Sequence, residues 1–357
     1  MKRLALFAAF ALWATPAFAQ TASVSQTGSN QTAAVTQTGS ASNEAIVQQI
    51  SAGDPQSSTV LQNGVNNFAR VRMETDNHDG GPNSAYLRQV GNNNQAWQTT
   101  YATGFNAAQS LSVDQQGNAN LGRQEINTGY NASLSLDQNG NRNDGRQYAN
   151  AAGGGYIGGS ILQTGNDNVA TQNLNGGFVQ DFSVRQVGND NDASQTMTTT
   201  GQFGFLNTAR IDQNGSGNEA RQGLNFEKIV SVTNDYAEVD QNGNNNYARQ
   251  DATGGDLYLR IRQDGNSNWA RTNSVGDENY LNARMSDGAY LRATQTGNMN
   301  SLFGTGGAGT EARILNGSSL TMTQTGDMNS SFVNMVTGGT ATISQIGNSN
   351  TATVIQN

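Results

Sequence analysis

Val239-Asp240-Gln241-Asn242-Gly243-Asn244-Asn245-Asn246-Tyr247-Ala248-Arg249-Gln250 decides the reading of this chain, because its framework returns along almost the whole length. An aliphatic residue is followed by Gln two positions on, Gly two after that and Asn three further, about every two dozen residues. The Gln members are Gln62, Gln89, Gln115, Gln138, Gln163, Gln186, Gln213, Gln241, Gln263, Gln295, Gln324 and Gln345. The matching turn glycines begin Gly64, Gly91, Gly117, Gly140, Gly165, Gly188, Gly215, Gly243 and Gly265, and the asparagines Asn67, Asn94, Asn120, Asn143, Asn168, Asn191, Asn218, Asn246 and Asn268. A fixed internal period is the signature of a solenoid, in which each unit buries its apolar face against its neighbours.

Alignment on the Gln exposes a second regularity. Two positions before it stand Val60, Leu87, Val113, Leu136 and Ile161, and four before it Ser58, Ala85, Leu111 and Leu134, whereas Thr59, Tyr86, Ser112 and Ser135 lie between. Period two is a strand with one buried face. The alternation turns the Gln inward as well. A buried primary amide without partners costs a few kcal/mol, but identical amides stacked at a strand spacing of about 4.8 Å bond to one another, so the burial is tolerable as a ladder.

The Gly suits a tight turn with positive φ, and the Asn is read as a residue that tolerates left-handed backbone and bonds to its own main chain. A second strand follows, with Ala69, Ala96, Gly122 and Gly145 inward and a second amide at Gln98, Gln124, Gln147, Gln172, Gln195, Gln222 and Gln250. Each unit is therefore strand, tight turn, strand and variable return, with Gly153-Gly154-Gly155 and Gly306-Gly307-Ala308-Gly309 assigned to returns. Proline, which a continuous ladder cannot accommodate, occurs only at Pro16, Pro55 and Pro82. The expected fold class is all-β: a β-solenoid of stacked strand-turn-strand repeats, compatible with cross-β assembly.

Three segments are expected. Residues 1–19 read as a secretory signal, with Lys2 and Arg3 before the apolar run 4–14 and Ala17-Phe18-Ala19 as cleavage site. Residues 20–61 form a short-repeat segment, and 62–357 the repeat solenoid. The net charge is −8, which gives no basic footprint for nucleic acid. No later stretch reaches the roughly 20 apolar residues of a membrane-spanning helix. The chain has no Cys, so disulfides do not support the stack.

Ala33-Ala34-Val35-Thr36-Gln37-Thr38-Gly39 and the run from Ala341-Thr342-Ile343-Ser344-Gln345 to Thr353-Val354-Ile355-Gln356 resemble the curlin repeat of secreted bacterial amyloid subunits. The likeness includes the eleven-residue half-period from Gln26 to Gln37 and from Gln345 to Gln356. The middle units match its first strand and turn but carry Asn-x-Ala-x-Gln and inserted returns. The resemblance implies export through a curli-type outer-membrane secretion channel, and assembly with itself and other curlin subunits into an extracellular, cell-surface fibre of a biofilm matrix. It does not distinguish a major subunit from a nucleator.

The strand edges point the same way. Val24, Gln26, Val35 and Gln37 mark one open end and Val354 and Gln356 the other, and an uncapped edge recruits another chain. The alternative is a monomeric surface adhesin or glycan-binding β-solenoid, which needs a regular outer row; Thr321-Met322-Thr323 and Thr198-Thr199-Thr200 are isolated. An enzyme is not expected: the one His is His78, beside Asp76 and Asp79, and there is no Cys nucleophile. No cofactor or metal is expected either, since Asp137-Gln138-Asn139-Gly140-Asn141 and Asp240-Gln241-Asn242-Gly243-Asn244 only mimic the start of a calcium loop and lack its Gly and Glu. Asp114, Asp137, Asp212 and Asp240, against Arg88, Arg185 and Arg262, read either as gatekeepers against premature aggregation or as a solvated face.

Overall fold

The computed structural model describes residues 20–75, 81–102, 108–128, 131–151, 156–176, 180–199, 207–226 and 235–357. The signal segment, His78 with its neighbouring aspartates, Gly153-Gly154-Gly155 and Thr200 lie outside them. Within them every regular element is a β-strand. The alternation of small apolar and polar residues appears as alternating burial, for instance along Phe68–Thr75 and Tyr258–Asp264.

Successive strands pass to two facing parallel sheets, so that strands neighbouring in space are one full turn apart in sequence. Sheet I has 14 strands, from Thr21–Thr27 to Thr340–Ile346. Sheet II has 15, from Gln31–Ala41 to Thr351–Gln356. The core is the slab between their inner faces, a continuous file of Ala, Val, Leu, Ile and Met running the length of the stack. Residues 20–61 supply the first levels of these same sheets. The fold is a β-solenoid.

Register places like on like. Gln62 pairs with Gln89, then Gln115, Gln138, Gln163, Gln186, Gln213, Gln241 and Gln263, one per strand of sheet II. The next position is Met285, and Gln295, Gln324 and Gln345 lie in sheet I instead. The twelve glutamines thus do not form one column. Gln263 and Gln295 are 32 residues apart, about a turn and a half, so the motif reappears at the opposite corner.

A second correction concerns Gly306-Gly307-Ala308-Gly309. It is no return between sheets: Ser301–Phe303 and Ala312–Ile314 share one level of sheet II, and residues 304–311 leave from the middle of that strand. The excursion closes on itself, with Gly304 N–H donating to Thr310 O at 2.9 Å and Thr310 Oγ1 to Gly304 O at 2.9 Å and Gly307 O at 2.6 Å. Flanking residues keep register because Leu302 lies over Leu281 and Ala312 over Ala283.

The corners explain the glycines. Gly140 has φ +136, and a Cβ there would sit 1.8 Å from Gly165 O. The other left-handed residue of each corner is the one before the motif Asn, such as Ala119, Arg142 or Asp167 at φ 56 to 58, and none of the motif asparagines from Asn67 to Asn268 has positive φ. The expectation of a left-handed Asn is corrected: that Asn is already extended and points inward. Gly140→Ala is expected to cost more than about 3 kcal/mol, combining left-handed strain with a backbone collision. Gly288→Ala, at φ +76 with nothing within 4 Å, should cost about 1 kcal/mol. Chemical denaturation of the two variants checks the difference.

Candidate functional site: amide ladders and open sheet ends

Buried amides run the length of the stack. From Gln37 to Gln263 each Gln Nε2 donates to Oε1 of the next Gln in sheet II at 2.7–2.9 Å. The same nitrogen also reaches across the core, as from Gln138 to Leu121 O at 2.9 Å and from Gln263 to Tyr247 O at 2.9 Å. Sheet I carries a second ladder, from Gln98 to Gln250, which returns the contact, as from Gln124 to Ser112 O at 2.9 Å. Each ladder therefore bonds along the axis and between the sheets. Gln89, Gln115, Gln138 and Gln163 are fully buried, and their donors and acceptors find partners in this way.

The motif asparagines form a third ladder, at the corner. Asn67 Nδ2 donates to Gly91 O at 2.8 Å, and its Oδ1 accepts the main-chain N–H of Asn94 at 3.0 Å. The pattern repeats through Asn120, Asn143, Asn168, Asn191 and Asn218 to Asn246, which bonds Gly265 O at 2.9 Å. Contacts to the Asn's own turn also occur, such as Asn268 Nδ2 to Asp264 O at 3.0 Å. The dominant bonds go to the adjacent level, which is why Asn recurs at this position from Asn67 to Asn268 while the left-handed residue before it varies freely.

Every Gln ladder has the same polarity: Nε2 points towards the C-terminal end, Oε1 towards the N-terminal end. The first member of an internal ladder accordingly has an Oε1 without a donor, as at Gln98 and Gln295. Where the motif changes corner, Gln263 Nε2 keeps its bond across the core to Tyr247 O but along the axis meets the Met285 sulfur at 3.9 Å instead of an amide, and Ala289 follows Asn268 in the corner column. The new ladder starts at Gln295 and runs to Gln324 at 3.1 Å and Gln345 at 2.8 Å, with Asn279, Asn300 and Asn329 at its corner.

At the outer edges of the stack no described residue continues the columns. Val24, Gln26, Val35 and Gln37 belong to the first level, and Gln26 donates to Gln49 at 2.6 Å. Val354 and Gln356 belong to the last strand of sheet II, where burial falls to an alternation of exposed and intermediate. Val24 is 37% exposed, against 1% for Val47 and 0% for Val71 in the same column. No described residue covers either edge.

The outer faces are more ordered than scattered aromatics lead one to expect. Tyr247, Trp269 and Tyr290 stack with centroids 5.6 and 4.5 Å apart on sheet I, and Tyr236, Tyr258 and Tyr280 at 5.2 and 4.6 Å on sheet II. The signal was present in the sequence at Tyr236, Tyr258 and Tyr280, each just before a small or aliphatic core residue. Further along sheet I, Arg72 lies over the Tyr101 ring and Arg123 over Tyr148, at 5.1 and 5.4 Å, lining a shallow groove with Arg70 and Trp97.

The charged residues before the ladder Gln form one outer column of sheet II. Arg88 pairs with Asp114 at 3.0 Å and Arg185 with Asp212 at 3.0 Å, while Asp137 adjoins Asp114 and Asp240 adjoins Asp212. Partial burial, and then the neighbouring aspartate, push the carboxyls of Asp137 and Asp240 above the usual carboxylate range; Arg88 and Arg262 respectively oppose the shift.

Compared with known proteins, the chain matches no family model and no curated relative. No helix among the described residues is long and apolar enough to cross a membrane.

The stacked aspartates carry a pH dependence. Because their folded pKa lies above the unfolded one, their contribution to stability is complete below the unfolded carboxylate range and is lost as pH rises through the folded pKa. Asp137→Asn and Asp240→Asn should each stabilise the solenoid by a few tenths of a kcal/mol at pH 7 by removing a like-charge neighbour. Near pH 3 the gain should vanish. Denaturation midpoints at the two pH values test this.

Proposed function

We propose that this chain is an exported structural subunit that polymerises through its open solenoid ends into a curli-like amyloid fibre at the bacterial cell surface. The β-solenoid fold is compatible with a structural or adhesin-like protein. The observation that carries the finer reading is the pair of uncapped edges, each presenting inward-facing Val and Gln with no described residue over them. A parallel edge exposes unpaired main-chain N–H and C=O groups, and here it also exposes unfinished amide ladders. The likeness of the terminal repeats to curlin units supports the same reading, together with export, biofilm-matrix assembly and adhesion. Other curlin-type subunits and a dedicated secretion channel are the partners it implies. Chemistry has no part in this role, which is that of a building unit and not of an enzyme.

A second reading, a monomeric adhesin or glycan-binding solenoid, is favoured by one feature: the groove of Arg70, Arg72, Trp97, Tyr101, Arg123 and Tyr148, about 610 Å³, on the outer face of sheet I. Arginine forks and aromatic faces suit carboxylated sugars. The two readings part at the ends.

Seeded assembly tests the proposal. The chain from Gln20 onward is diluted from denaturant and thioflavin fluorescence is followed with and without sonicated seeds. Seedable fibres diffracting near 4.7 and 10 Å are expected. A soluble, strand-rich monomer that neither seeds nor elongates would refute polymerisation and favour the adhesin.

A further inference from the structure

The first and last levels of the solenoid are near copies of each other. Residues 340–357, read against 21–38, are identical at nine positions, among them Thr340 with Thr21, Gln345 with Gln26, Gly347 with Gly28, Val354 with Val35 and Gln356 with Gln37. The register shows that this is more than a shared repeat. Followed strand by strand through sheet I, the column that starts at Thr21 ends at Thr340. Through sheet II, the column that starts at Thr32 ends at Thr351. Both sheets give the same offset, although the motif has changed corner in between.

The corner joining the sheets also matches. Gly28 and Gly347 have φ +113 and +100, and Asn30 and Ser349 have φ 59 and 60. Gln31 Nε2 donates back to Thr27 O at 2.8 Å, and Asn350 Nδ2 makes the equivalent bond to Ile346 O at 3.1 Å. One end can therefore continue the other without a change of backbone path.

Ladder polarity then selects a direction. At the C-terminal end Gln345 accepts from Gln324 and donates to Ser330 O at 3.1 Å, leaving its second Nε2 proton without a partner. At the N-terminal end no described residue donates to Oε1 of Gln26 or Gln37. Like ends offer donor to donor or acceptor to acceptor; unlike ends complete the ladder.

We infer that the partner of each end is the opposite end of a second copy of this chain, joined head to tail in one register: Thr340–Ile346 against Thr21–Thr27 in sheet I, and Thr351–Gln356 against residues 32–37 in sheet II. This rests on the polymer reading above and adds to it the polarity and the residue-by-residue seam. Gln345 stacks on Gln26, Gln356 on Gln37, Ile343 on Val24 and Val354 on Val35. The join repeats the internal geometry of the stack, so every chain extends both sheets without a fault.

The chain lacks Cys, which makes cross-linking a clean test. Ser25 and Ser344 face outward and are exposed, as is Thr342. In the proposed seam Ser25 and Ser344 have Cα atoms about 4.8 Å apart, within disulfide range, whereas Ser25 and Thr342 are about 8 Å apart and outside it. Within one chain the two sites are at opposite ends. S25C/S344C and S25C/T342C chains are assembled under reduction and then oxidised.

The expected result is a covalent series of dimers, trimers and longer species from S25C/S344C, at least about fivefold more abundant than from S25C/T342C. T36C/I355C, exposed on sheet II, repeats the test independently should the first pair disturb assembly. Fibres that cross-link equally through matched and offset pairs, or through neither S25C/S344C nor T36C/I355C, overturn the seam while leaving polymerisation intact. A wild-type chain that forms no fibres overturns both.

Discussion

The structure depends on one constraint: a primary amide taken out of water must find its hydrogen bonds inside the protein. Gln138 and its equivalents lie fully buried in a core that is otherwise aliphatic, and the amide above and below is the partner each of them has in its own sheet. Stacking identical residues at one strand spacing then follows as a requirement. It forces parallel, in-register pairing, because a slip by one residue would turn the Gln into solvent and a slip by two would set it against an aliphatic chain. It also explains how a chain with only 34% hydrophobic residues can fold: much of the interior that another protein would fill with Leu and Val is amide, satisfied along the axis and across it.

The same constraint shapes the corners. A Gly at φ +136 lets Gly140 lie against Gly165 with no room for a Cβ, while Asn143 bonds the carbonyl of that neighbour at 2.9 Å. Corner and core thus repeat at one spacing, and neither can drift without breaking the other. The outer faces carry no such requirement and vary from level to level: charges at Arg88 and Asp114, aromatics from Tyr236 to Tyr280, a self-closed excursion at 304–311.

Much of this was legible in the chain, and the failures have physical causes. Strand alternation and the inward Gln could be read because period two and the recurrence of one residue at one position leave few alternatives. The transfer of the motif to the other corner was concealed because Gln-x-Gly-x-x-Asn builds either corner equally well; only the 32-residue interval between Gln263 and Gln295 records it. That interval also hid the Tyr236–Tyr258–Tyr280 stack, whose third member sits in the level where Met285 replaces Gln. The Gly-rich run at 306–309 announced a loop, but its position in mid-strand needed the pairing of Leu302 with Leu281 and Ala312 with Ala283. Asn was read by its turn propensity, which is real but weaker here than the ladder that holds it inward.

If buried amide ladders hold the stack, their protons must be as hard to exchange as those of the strands that carry them. Hydrogen–deuterium exchange of the Gln and Asn side-chain amides, followed by NMR on the folded chain, measures this directly. Nε2 protons of the Gln89 to Gln241 column and Nδ2 protons of the Asn94 to Asn246 column are expected to exchange as slowly as the main-chain amides of the same levels. Side-chain amides that exchange at rates typical of exposed Gln and Asn, while the main chain stays protected, would contradict it.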